Sequence, residues 1–517
     1  MGISRPNLQI SGPSPDPQSE SDIRVFHGNR SKIIAASNNI RSSGAQSQFW
    51  SIDGGATWGQ SELPLLAADV FHSDPAVDWT SDGTAWSLTM GLASDESFVT
   101  HLRLYKSVDG GATWSFDSTP SGDQDVVDKP LLWADHSASS PYQNSLYAIW
   151  DVVNPQAFVA RRRNGVWGAP VQVSGSETTG TPIGGDVKTN SAGVVFAFWP
   201  DTGSSKLYLA RSTNGGGSYS KPVTIASTFA SYDIGVPAQD HRRVLIYTSG
   251  GAYKTAAKNL AYTAWTDLSG AVGCTVQDNE PGDSATSVCK TRIWFARSTD
   301  GGVTWGAKKM LNNQAGKNDQ FNQALAVDDA TGAVAVIYYD TVGDAARQQT
   351  NVWYQSSLDD GVTWSPPFKV TTAPSNETID GADLGNQYGD YNSLNGYAGT
   401  FFPIWTDRRT NQSEQIWTAA LADCRPPNAP SGVNDRSPDP GRIRVAWTAV
   451  QGATEYHLYR STKSGGPYQE VAVVAAPAVV RYDAGLIPGK RYYYVVRSFA
   501  VCESANSAQV SAVVRTP

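Results

Sequence analysis

The chain has 517 residues, with 48 acidic and 40 basic side chains and a net charge of −8. Its longest Lys/Arg run is the three arginines at 161–163, and its apolar stretches fall short of the roughly 18 residues that a membrane-spanning helix needs. We therefore expect neither a membrane span nor a nucleic-acid partner, because neutralising phosphates requires clustered cations. The 48 glycines, 29 prolines and 17 tryptophans favour short strands joined by turns.

The first predicted element is a strand at residues 7–11, with the sequence Asn-Leu-Gln-Ile-Ser. It resembles the closing strands of later modules, such as Pro-Val-Gln-Val-Ser at 170–174, although no module precedes it. A last module at about 385–423 contains only three predicted strands. We therefore expect the N-terminal strand to complete the last module and to close a ring, an arrangement that protects sheet edges.

An eight-residue motif recurs with the pattern Ser-x-Asp-Gly-Gly-x-Thr-Trp or close variants. Copies begin at Ser51, Ser107, Ser212, Ser298 and Ser357, and a degenerate copy lies at 161–167. Asp-Gly between apolar segments predicts a hairpin turn, because Gly supplies the positive φ and the Asp accepts hydrogen bonds from its own turn. We interpret four motif aspartates as turn residues: Asp53, Asp109, Asp300 and Asp359.

The strands around these motifs repeat in a fixed order. Around a motif, a module has an opening strand, a second strand that ends in an aromatic residue and an Asp, the motif, and a short closing strand. This pattern predicts seven modules, at about 22–66, 73–120, 128–174, 183–227, 240–312, 318–373 and 385–423. We therefore predict an all-β domain over residues 7–423.

Four cysteines fall into two pairs by position, Cys274 with Cys289 and Cys424 with Cys502. An even number with local pairing favours disulfides and an extracytoplasmic setting. Buried free thiols or a zinc site are the alternatives, although neither pair has metal-ligand spacing and no histidine cluster lies beside them. We predict two disulfides, no metal site and a secreted or extracytoplasmic protein.

The C-terminal part begins with a Pro-rich linker at 424–430 and continues as a predicted β-sandwich at 431–517. Trp447, the run Gly-Ala-x-x-Tyr-x-Leu-Tyr at 452–459 and the run Gly-Leu-Ile-Pro-Gly-x-x-Tyr at 485–492 resemble a fibronectin type III domain. The resemblance implies a spacer or accessory module.

The repeated motif resembles the Asp-box, or BNR repeat, of the sialidase superfamily, and the resemblance covers residues 7–423. It implies a sialidase-like β-propeller with its Asp-boxes on the outer rim, far from a pocket on the axis. Seven modules predict seven blades, and six blades, as in sialidases, are the alternative. The only Arg-Pro near the start is Arg5-Pro6, outside the sialidase Arg-Ile-Pro pattern. The superfamily contains hydrolases, lyases and binders, so function has to be argued from a site.

In a propeller, the loops entering the first strand and those joining the second strand to the third gather at one end of the channel. Asp74 and Asp128 lie in two such opening loops, beside His72 and Lys129. Hydrolysis of a glycosidic bond needs one carboxyl that donates a proton and a second group that attacks or activates water. We predict Asp74 and Asp128 as the acid/base residues, and the alternative for each is that it caps a turn or bonds a neighbouring module.

Tyr388 and Asp390 lie in a Gly-containing opening loop and are also predicted catalytic residues, with Tyr388 as a nucleophile or a stacking ring. Packing between blades is the alternative for Tyr388. Arginines can hold a substrate carboxylate bidentately, and ion pairs with nearby aspartates are the alternative. The predicted substrate-binding residues are Arg41, Lys129, Asp151, Asp407, Arg408 and Arg409. We expect no cofactor, with a structural Ca²⁺ on loop oxygens as an open alternative.

Three functional hypotheses follow. The first is a secreted carbohydrate-active enzyme, a sialidase-like exo-glycoside hydrolase acting on an acidic sugar or glycan. The second is a polysaccharide lyase on uronate polymers, in which His72 or His241 with Tyr388 abstracts a proton. The third is a non-catalytic propeller that binds a glycan or a protein. In all three we expect a monomer, with a carbohydrate or glycoconjugate as the partner in the first two.

Overall fold

The computed structural model consists of strands, turns and loops. It describes residues 2–12, 16–39, 43–93, 99–152, 156–174, 181–275, 281–282, 284–410, 413–423, 426–500 and 503–517. None of these residues lies in an α-helix, which confirms the all-β class, and no helix that could cross a membrane is found among them. The chain divides into two compact units, Met1–Ala422 and Asp423–Pro517.

The larger unit is built from antiparallel strands. These are β1 (Gly2–Gln9), β2 (Ser19–Val25), β3 (Ile33–Asn38), β4 (Ser47–Ser51), β5 (Gly59–Glu62), β6 (Asp69–Trp79), β7 (Ala85–Ala93), β8 (Thr100–Ser107), β9 (Ser115–Ser118), β10 (Val127–Ala134), β11 (Leu146–Val152), β12 (Gln156–Arg163), β13 (Val166–Trp167), β14 (Val171–Gln172), β15 (Asp186–Thr189), β16 (Val195–Asp201), β17 (Lys206–Ser212), β18 (Val223–Ser227), β19 (Asp233–Val236), β20 (Gln239–Leu245), β21 (Ser249–Lys254), β22 (Asn259–Leu268), β23 (Thr291–Ser298), β24 (Lys309–Met310), β25 (Gln320–Val327), β26 (Val334–Asp340), β27 (Gln349–Ser357), β28 (Phe368–Lys369), β29 (Ser375–Asn376), β30 (Ser393–Tyr397), β31 (Thr400–Asp407) and β32 (Gln415–Ala422).

Within the described part of this unit, the strands form seven sheets of four or five strands and one separate hairpin, β19–β20. Sheets 1 to 6 follow chain order and consist of β2–β5, β6–β9, β10–β14, β15–β18, β21–β24 and β25–β29. Sheet 7 has the order β1-β32-β31-β30, so the N-terminal strand pairs with the last strand of the unit. In that pairing Leu8 lies opposite Thr418.

The first strands of the sheets contact one another in a cycle. Strand β2 contacts β6, and the contacts continue through β10, β15, β21, β25 and β30 before returning to β2. The seven first strands therefore surround a central channel, and the later strands of each sheet lie farther out.

The second strands are the most deeply buried. Every residue of β16 and β26 is buried, because each strand lies inside its sheet and is covered on both faces. Four tryptophans near the ends of second strands have no exposed surface: Trp150, Trp199, Trp265 and Trp405. The repeated aromatic residue in the sequence is thus a core residue of the larger unit.

The repeated motifs form hydrogen-bonded turns after the third strands. In the copy after β23, the Asp300 carboxylate accepts hydrogen bonds from Ser298 Oγ (2.7 Å), Val303 N (2.9 Å) and Thr304 Oγ1 (2.5 Å). Gly301 and Gly302 both have positive φ, 73° and 81°, which a side chain would disfavour. The motif aspartates are thus tied to their own turns, as the sequence pattern predicted.

We expect Asp300→Ala to lower the free energy of unfolding by about 1–2 kcal/mol, because several turn donors lose their acceptor. Asp300→Asn is the matched control, since Asn214 occupies the equivalent position after β17 and accepts from Ser212 Oγ (2.8 Å) and Ser218 N (3.0 Å). Urea unfolding followed by fluorescence measures both variants. Equal losses in the Ala and Asn variants would contradict this role for the carboxylate oxygens.

Arg347 joins a buried ion pair beside sheet 6 to a disulfide loop of sheet 5. Cys274 and Cys289, in the connection between β22 and β23, form the predicted disulfide. Arg347 donates to Cys289 O (3.0 Å) and to both carboxylate oxygens of Asp319 (2.8 and 2.7 Å). The Arg347 and Asp319 side chains are 2% and 0% exposed, so this ion pair is almost completely shielded from solvent. Cys424 and Cys502 lie outside the described residues.

The smaller unit contains two antiparallel sheets. Its strands are β33 (Asn434–Arg436), β34 (Arg442–Ala446), β35 (Glu455–Ser461), β36 (Gln469–Ala475), β37 (Val480–Ala484), β38 (Arg491–Phe499) and β39 (Val510–Val513). The sheet orders are β33-β34-β37 and β36-β35-β38-β39. Both sheets contribute to one apolar core that contains Trp447, Tyr456 and Tyr494.

Candidate active site

The opening strands of four sheets share a backbone irregularity near their first residues. The pairing between first and second strand shifts register between Ser19 and Asp22, Ser73 and Ala76, Asp128 and Leu131, and Phe321 and Ala324. Each bulge contains one non-glycine residue with positive φ: Glu20 (55°), Asp74 (56°), Lys129 (50°) and Asn322 (48°). Bulges redirect side chains, and such backbone conformations cluster at functional sites.

Three of these four side chains meet in one cluster with residues from later in the chain. We call this group the polar cluster and define it as Glu20, Asp74, Asp128, Lys129, Arg242 and Asp390. Lys129 Nζ lies 2.6 Å from Asp390 Oδ2 and 3.6 Å from Asp74 Oδ2. Arg242 Nη2 lies 2.8 Å from Glu20 Oε1 and also forms an ion pair with Asp390 Oδ1. Asp390 therefore bridges the two cations.

Asn322 belongs to the support of this cluster. Its Nδ2 donates to Gly389 O (2.9 Å), immediately before Asp390, and its own carbonyl accepts from Asn392 Nδ2 (3.3 Å). Asp390 N donates to Glu20 Oε1 (3.2 Å). The loop that carries Asp390 is thus fixed from both sides.

The environments of the carboxyl groups push their pKa values apart. Burial, followed by the charge of Asp390, raises the pKa of Glu20 to about 7. Burial acts in the same direction on Asp390, but Lys129 and Arg242 overcome it and lower the pKa of Asp390 to about 2. Near neutral pH the cluster thus contains an ionised carboxylate beside a carboxyl that holds its proton part of the time.

Asp128 and Asp151 add two further carboxyls on sheet 3, where they lie opposite each other in the pairing of β10 with β11. Burial raises the pKa of Asp128, against the opposing effect of Lys129. Burial and then the charge of Asp128 raise the pKa of Asp151 well above its ordinary value. Asp151 Oδ1 also accepts from Gly184 N (3.3 Å).

A cavity of about 100 Å³ lies in the channel next to the polar cluster. Lys129, Trp133, Tyr247 and Tyr391 line it together with other residues of the first strands. The hydroxyls of Tyr247 and Tyr391 are buried and have no hydrogen-bond partner among the described residues. Buried hydroxyls normally have a partner, so these two unpaired hydroxyls beside the cavity are exceptions.

The structure brings together four of the predicted site residues, Asp74, Asp128, Lys129 and Asp390, and it places Asp151 beside Asp128. Tyr388 is not part of this group. Its ring is fully buried against Phe321 and Tyr339, and its hydroxyl donates to Ser375 O (3.3 Å). This is the packing role that was the alternative for Tyr388.

The remaining predicted binding residues make other contacts. Arg408 is fully buried and donates to the backbone carbonyls of Asn376, Ile379 and Asp380. Arg409 Nη2 lies 2.5 Å from Asp407 Oδ2. These contacts correspond to the ion-pair alternative for Asp407 and Arg409. Arg41 lies outside the described residues.

Sequence reasoning missed Glu20 and Arg242. The signal for Glu20 was present, because the pair Ser19-Glu20 in β2 resembles the pair Ser73-Asp74 in β6. Arg242 lies close to the predicted start of the fifth module at about 240, but β20 belongs to the extra hairpin, which has no counterpart in the other described sheets. The repeat pattern therefore had no equivalent position from which to assign Arg242.

No protein-family model matches the chain. The chain is similar to curated amylopullulanases of Thermoanaerobacterium thermosulfurigenes and Thermoanaerobacterium saccharolyticum, with 33% and 32% identity over 89 residues. These residues make up 17% of this chain but only 5% and 7% of the two relatives, so the chain spans a small part of their length.

Similar solved structures fall into two groups. A Fn3-like protein from Clostridium thermocellum is 32% identical and covers 18% of this chain and 98% of its own, with a TM-score of 0.17. A protein of unknown function from Dyadobacter fermentans is 12% identical and covers 82% of this chain and 99% of its own, with a TM-score of 0.44. The intramolecular trans-sialidase from Ruminococcus gnavus is 11% identical and covers 68% and 96%, with a TM-score of 0.43. The chemistry of this chain is therefore argued from its own residues.

Proposed function

We propose that the larger unit is a seven-bladed β-propeller whose repeated turns are Asp-boxes, and that the smaller unit is a fibronectin type III-like domain. The cyclic contacts of seven first strands and the pairing of β1 with β32 support the blade number. The two sheets around Trp447 and Tyr456 support the second assignment. As domain limits we propose residues 7–423 and 431–517, with 424–430 as a linker.

We propose that the polar cluster is the active site of a glycoside hydrolase acting on an acidic sugar or glycan. The observation that carries this proposal is the juxtaposition of Glu20 and Asp390, two carboxyls with opposed pKa shifts on one guanidinium, that of Arg242. Glycoside hydrolysis uses such a pair, one carboxyl as proton donor and one ionised carboxylate facing the positive charge of the transition state. The match with amylopullulanases supports a carbohydrate setting for the chain.

In this proposal Glu20 donates the proton to the leaving oxygen. Asp390 stays ionised between Lys129 and Arg242 and stabilises the developing positive charge on the sugar. Asp128 is half-buried and its raised pKa makes it the second candidate for the acid. Asp74, whose Oδ2 is buried and lies 3.6 Å from Lys129, completes the set of carboxylates to be tested.

The two cations select an acidic substrate. Lys129 lines the cavity, and both Lys129 and Arg242 are half-buried, whereas Glu20 and Asp390 are buried. A substrate carboxylate can share the guanidinium of Arg242 in a charge-assisted hydrogen bond. Tyr247 and Tyr391 offer hydroxyls and aromatic faces for the remaining sugar groups.

The decisive experiment is mass spectrometry of products after incubation with sialylated glycans and uronate polysaccharides. A hydrolase adds one water at the cut, whereas a lyase leaves an unsaturated fragment. Wild type is compared with Glu20→Gln, Asp74→Asn, Asp128→Asn and Asp390→Asn, each tested alone. Turnover that is unchanged in all four variants, and in the Asp74/Asp128 double variant, would exclude the polar cluster as the active site.

We expect the pH profile to identify Glu20. Because the pKa of Glu20 is about 7, kcat/KM should fall as the pH rises through that value, and Glu20→Gln should remove this limb together with most of the activity. The folded state also retains a proton that the unfolded chain releases between pH 4.5 and about 7. The free energy of unfolding of wild type should therefore decline over this interval relative to Glu20→Gln, in urea titrations at several pH values.

A second candidate function is glycan binding without turnover. Lys129 and Arg242 both form ion pairs with carboxylates of the polar cluster. Such paired charges are compatible with a site that only binds a glycan as well as with an enzyme without its substrate. Saturable binding of an acidic glycan, lost in Arg242→Met and with every glycan recovered intact, would establish this alternative.

The lyase hypothesis finds less support. His72 is fully buried against Tyr105, and burial lowers the pKa of His72 to about 4, while Tyr388 packs in the core.

The Cys274–Cys289 disulfide supports our proposal of a secreted or extracytoplasmic protein with a glycan as partner.

A further inference from the structure

A second group of ligand-type side chains lies at the opposite ends of the strands that begin at the polar cluster. His27 follows the end of β2 at Val25, His136 follows the end of β10 at Ala134, and Asp329 follows the end of β25 at Val327. Seven residues separate Lys129 from His136 along β10, a distance of about 20 Å in an extended strand. This group is therefore distinct from the polar cluster.

The three side chains converge although they come from sheets 1, 3 and 6. One ligand atom from each, an imidazole nitrogen of His27 and of His136 and a carboxylate oxygen of Asp329, lie within 4.8 Å of one another. The two imidazole rings have centroids 4.4 Å apart. The His27 ring also stacks on Tyr397 at 4.1 Å, which holds it in place.

His136 has the hydrogen bonding of an oriented metal ligand. Its Nε2 donates to Asp78 Oδ1 (2.8 Å), because a carboxylate can only accept from it. Its side chain is 8% exposed, and its Nδ1 is buried without a hydrogen-bond partner among the described residues. In a metal-binding histidine, one ring nitrogen usually donates a hydrogen bond to a carboxylate or carbonyl, and the other ring nitrogen binds the metal.

Asp78 itself is held firmly. Its Oδ1 accepts from Trp79 N (2.8 Å) and its Oδ2 from Ala134 N (2.7 Å). On the other side, Asp328 accepts from Ala398 N (2.9 Å) and Gly399 N (2.6 Å), which fixes the loop next to Asp329. The backbone around the three ligand atoms is thus preorganised.

We propose that His27, His136 and Asp329 bind one divalent transition-metal ion of the Zn²⁺ class. Two imidazoles and one carboxylate suit such an ion, whereas Ca²⁺ and Mg²⁺ prefer oxygen ligands throughout. Tetrahedral binding needs donor atoms about 3.4 Å apart, and the exposed side chain of Asp329 can rotate to close the remaining gap. Three protein ligands leave a fourth position for water.

The bound ion would tie sheets 1, 3 and 6 together across the mouth of the channel that lies opposite the polar cluster. A ligand would then enter the channel from the end at which the polar cluster lies. This inference does not depend on the proposed function, because it concerns metal binding alone.

The test measures Zn²⁺ binding to the full chain after removal of metals with a chelator. Isothermal titration and elemental analysis are applied to wild type, His27→Gln, His136→Ala and Asp329→Asn. We expect one Zn²⁺ per chain in wild type, a loss of affinity of at least 100-fold in the histidine variants and about 10-fold in Asp329→Asn. Zn²⁺ should raise the Tm of wild type and leave that of His27→Gln unchanged.

Two matched controls locate the ion. His101→Ala removes a partly exposed histidine that pairs with Asp125 at 3.5 Å. His457→Ala removes the centre of a second group, His457, Glu470 and Glu503, in the smaller unit. Both controls should keep the Zn²⁺ of wild type. His27→Gln and Asp329→Asn change half-buried and exposed side chains, so they test the site even if His136→Ala unfolds.

Three results would overturn the proposal: no saturable Zn²⁺ binding in molar excess, unchanged affinity in both His27→Gln and Asp329→Asn, or loss of the ion in His457→Ala instead. Co²⁺ substitution adds an independent readout, because the visible absorption of Co²⁺ bound by nitrogen and oxygen ligands should appear in wild type and be absent in His27→Gln.

Discussion

Asp390→Asn is expected to lower kcat/KM for the acidic glycan identified in the product screen by about 100- to 10,000-fold. The substitution keeps the shape of the side chain but removes the negative charge between Lys129 and Arg242. Because the charge of Asp390 helps to raise the pKa of Glu20, the same change should move the alkaline limb of the pH profile below pH 7. Initial rates across pH measure both effects.

Asp300→Asn is the matched control, because it makes the same chemical change in an outer turn and should leave the rate and the pH profile as in wild type. A lower rate with an unshifted alkaline limb would mean that Asp390 only maintains the structure of the site. It would also contradict the proposal that Glu20 is the acid. Wild-type activity in Asp390→Asn would refute the proposed role of this carboxylate.

Arg347→Met is expected to lower the free energy of unfolding by about 3–5 kcal/mol, because it leaves the Asp319 carboxylate buried without its cation. Asp319 has no exposed side-chain surface, and Arg347 supplies both of its charged hydrogen bonds. Arg347 also donates to Cys289 O, so the substitution should loosen the disulfide loop. Urea unfolding measures the loss, and faster alkylation of Cys289 under mild reduction would report the loosening.

Lys258→Met serves as the control for this stability effect. It removes a cation from the ion pair with Asp360, in which the side chains are 42% and 24% exposed. Solvent-exposed ion pairs contribute roughly 0–1 kcal/mol, so this variant should unfold close to wild type. Similar losses in both variants would mean that burial does not set the strength of the Arg347–Asp319 pair.

Part of the candidate site was predictable because it repeats. Asp74 and Lys129 stand at equivalent positions in successive modules, in the bulge of an opening strand, and the structure brings them to within 3.6 Å of each other. Glu20 occupies the same position in sheet 1 and was overlooked because the first module was placed two residues too late. The bulges that turn these side chains toward one another cannot be recognised from the sequence of one module alone.

The arginines show where prediction from sequence failed. Arg408 and Arg409 follow a second strand in the position where a binding residue was expected, yet Arg408 donates to the carbonyls of Asn376, Ile379 and Asp380. The guanidinium at the polar cluster belongs instead to Arg242, on the extra β19–β20 hairpin. An arginine side chain is long and flexible, so its partner depends on which loops pack around it.

The sequence by itself determined the all-β class and the hydrogen-bonded turns. These features depend on strand alternation and on contacts within about five residues, such as Ser298 Oγ with Asp300, which any copy of the motif can form locally. Tertiary structure alone decided which charges meet. Arg242 pairs with Glu20 across 222 residues, and Asp390 N reaches Glu20 across 370, so these contacts exist only once the ring of sheets has closed.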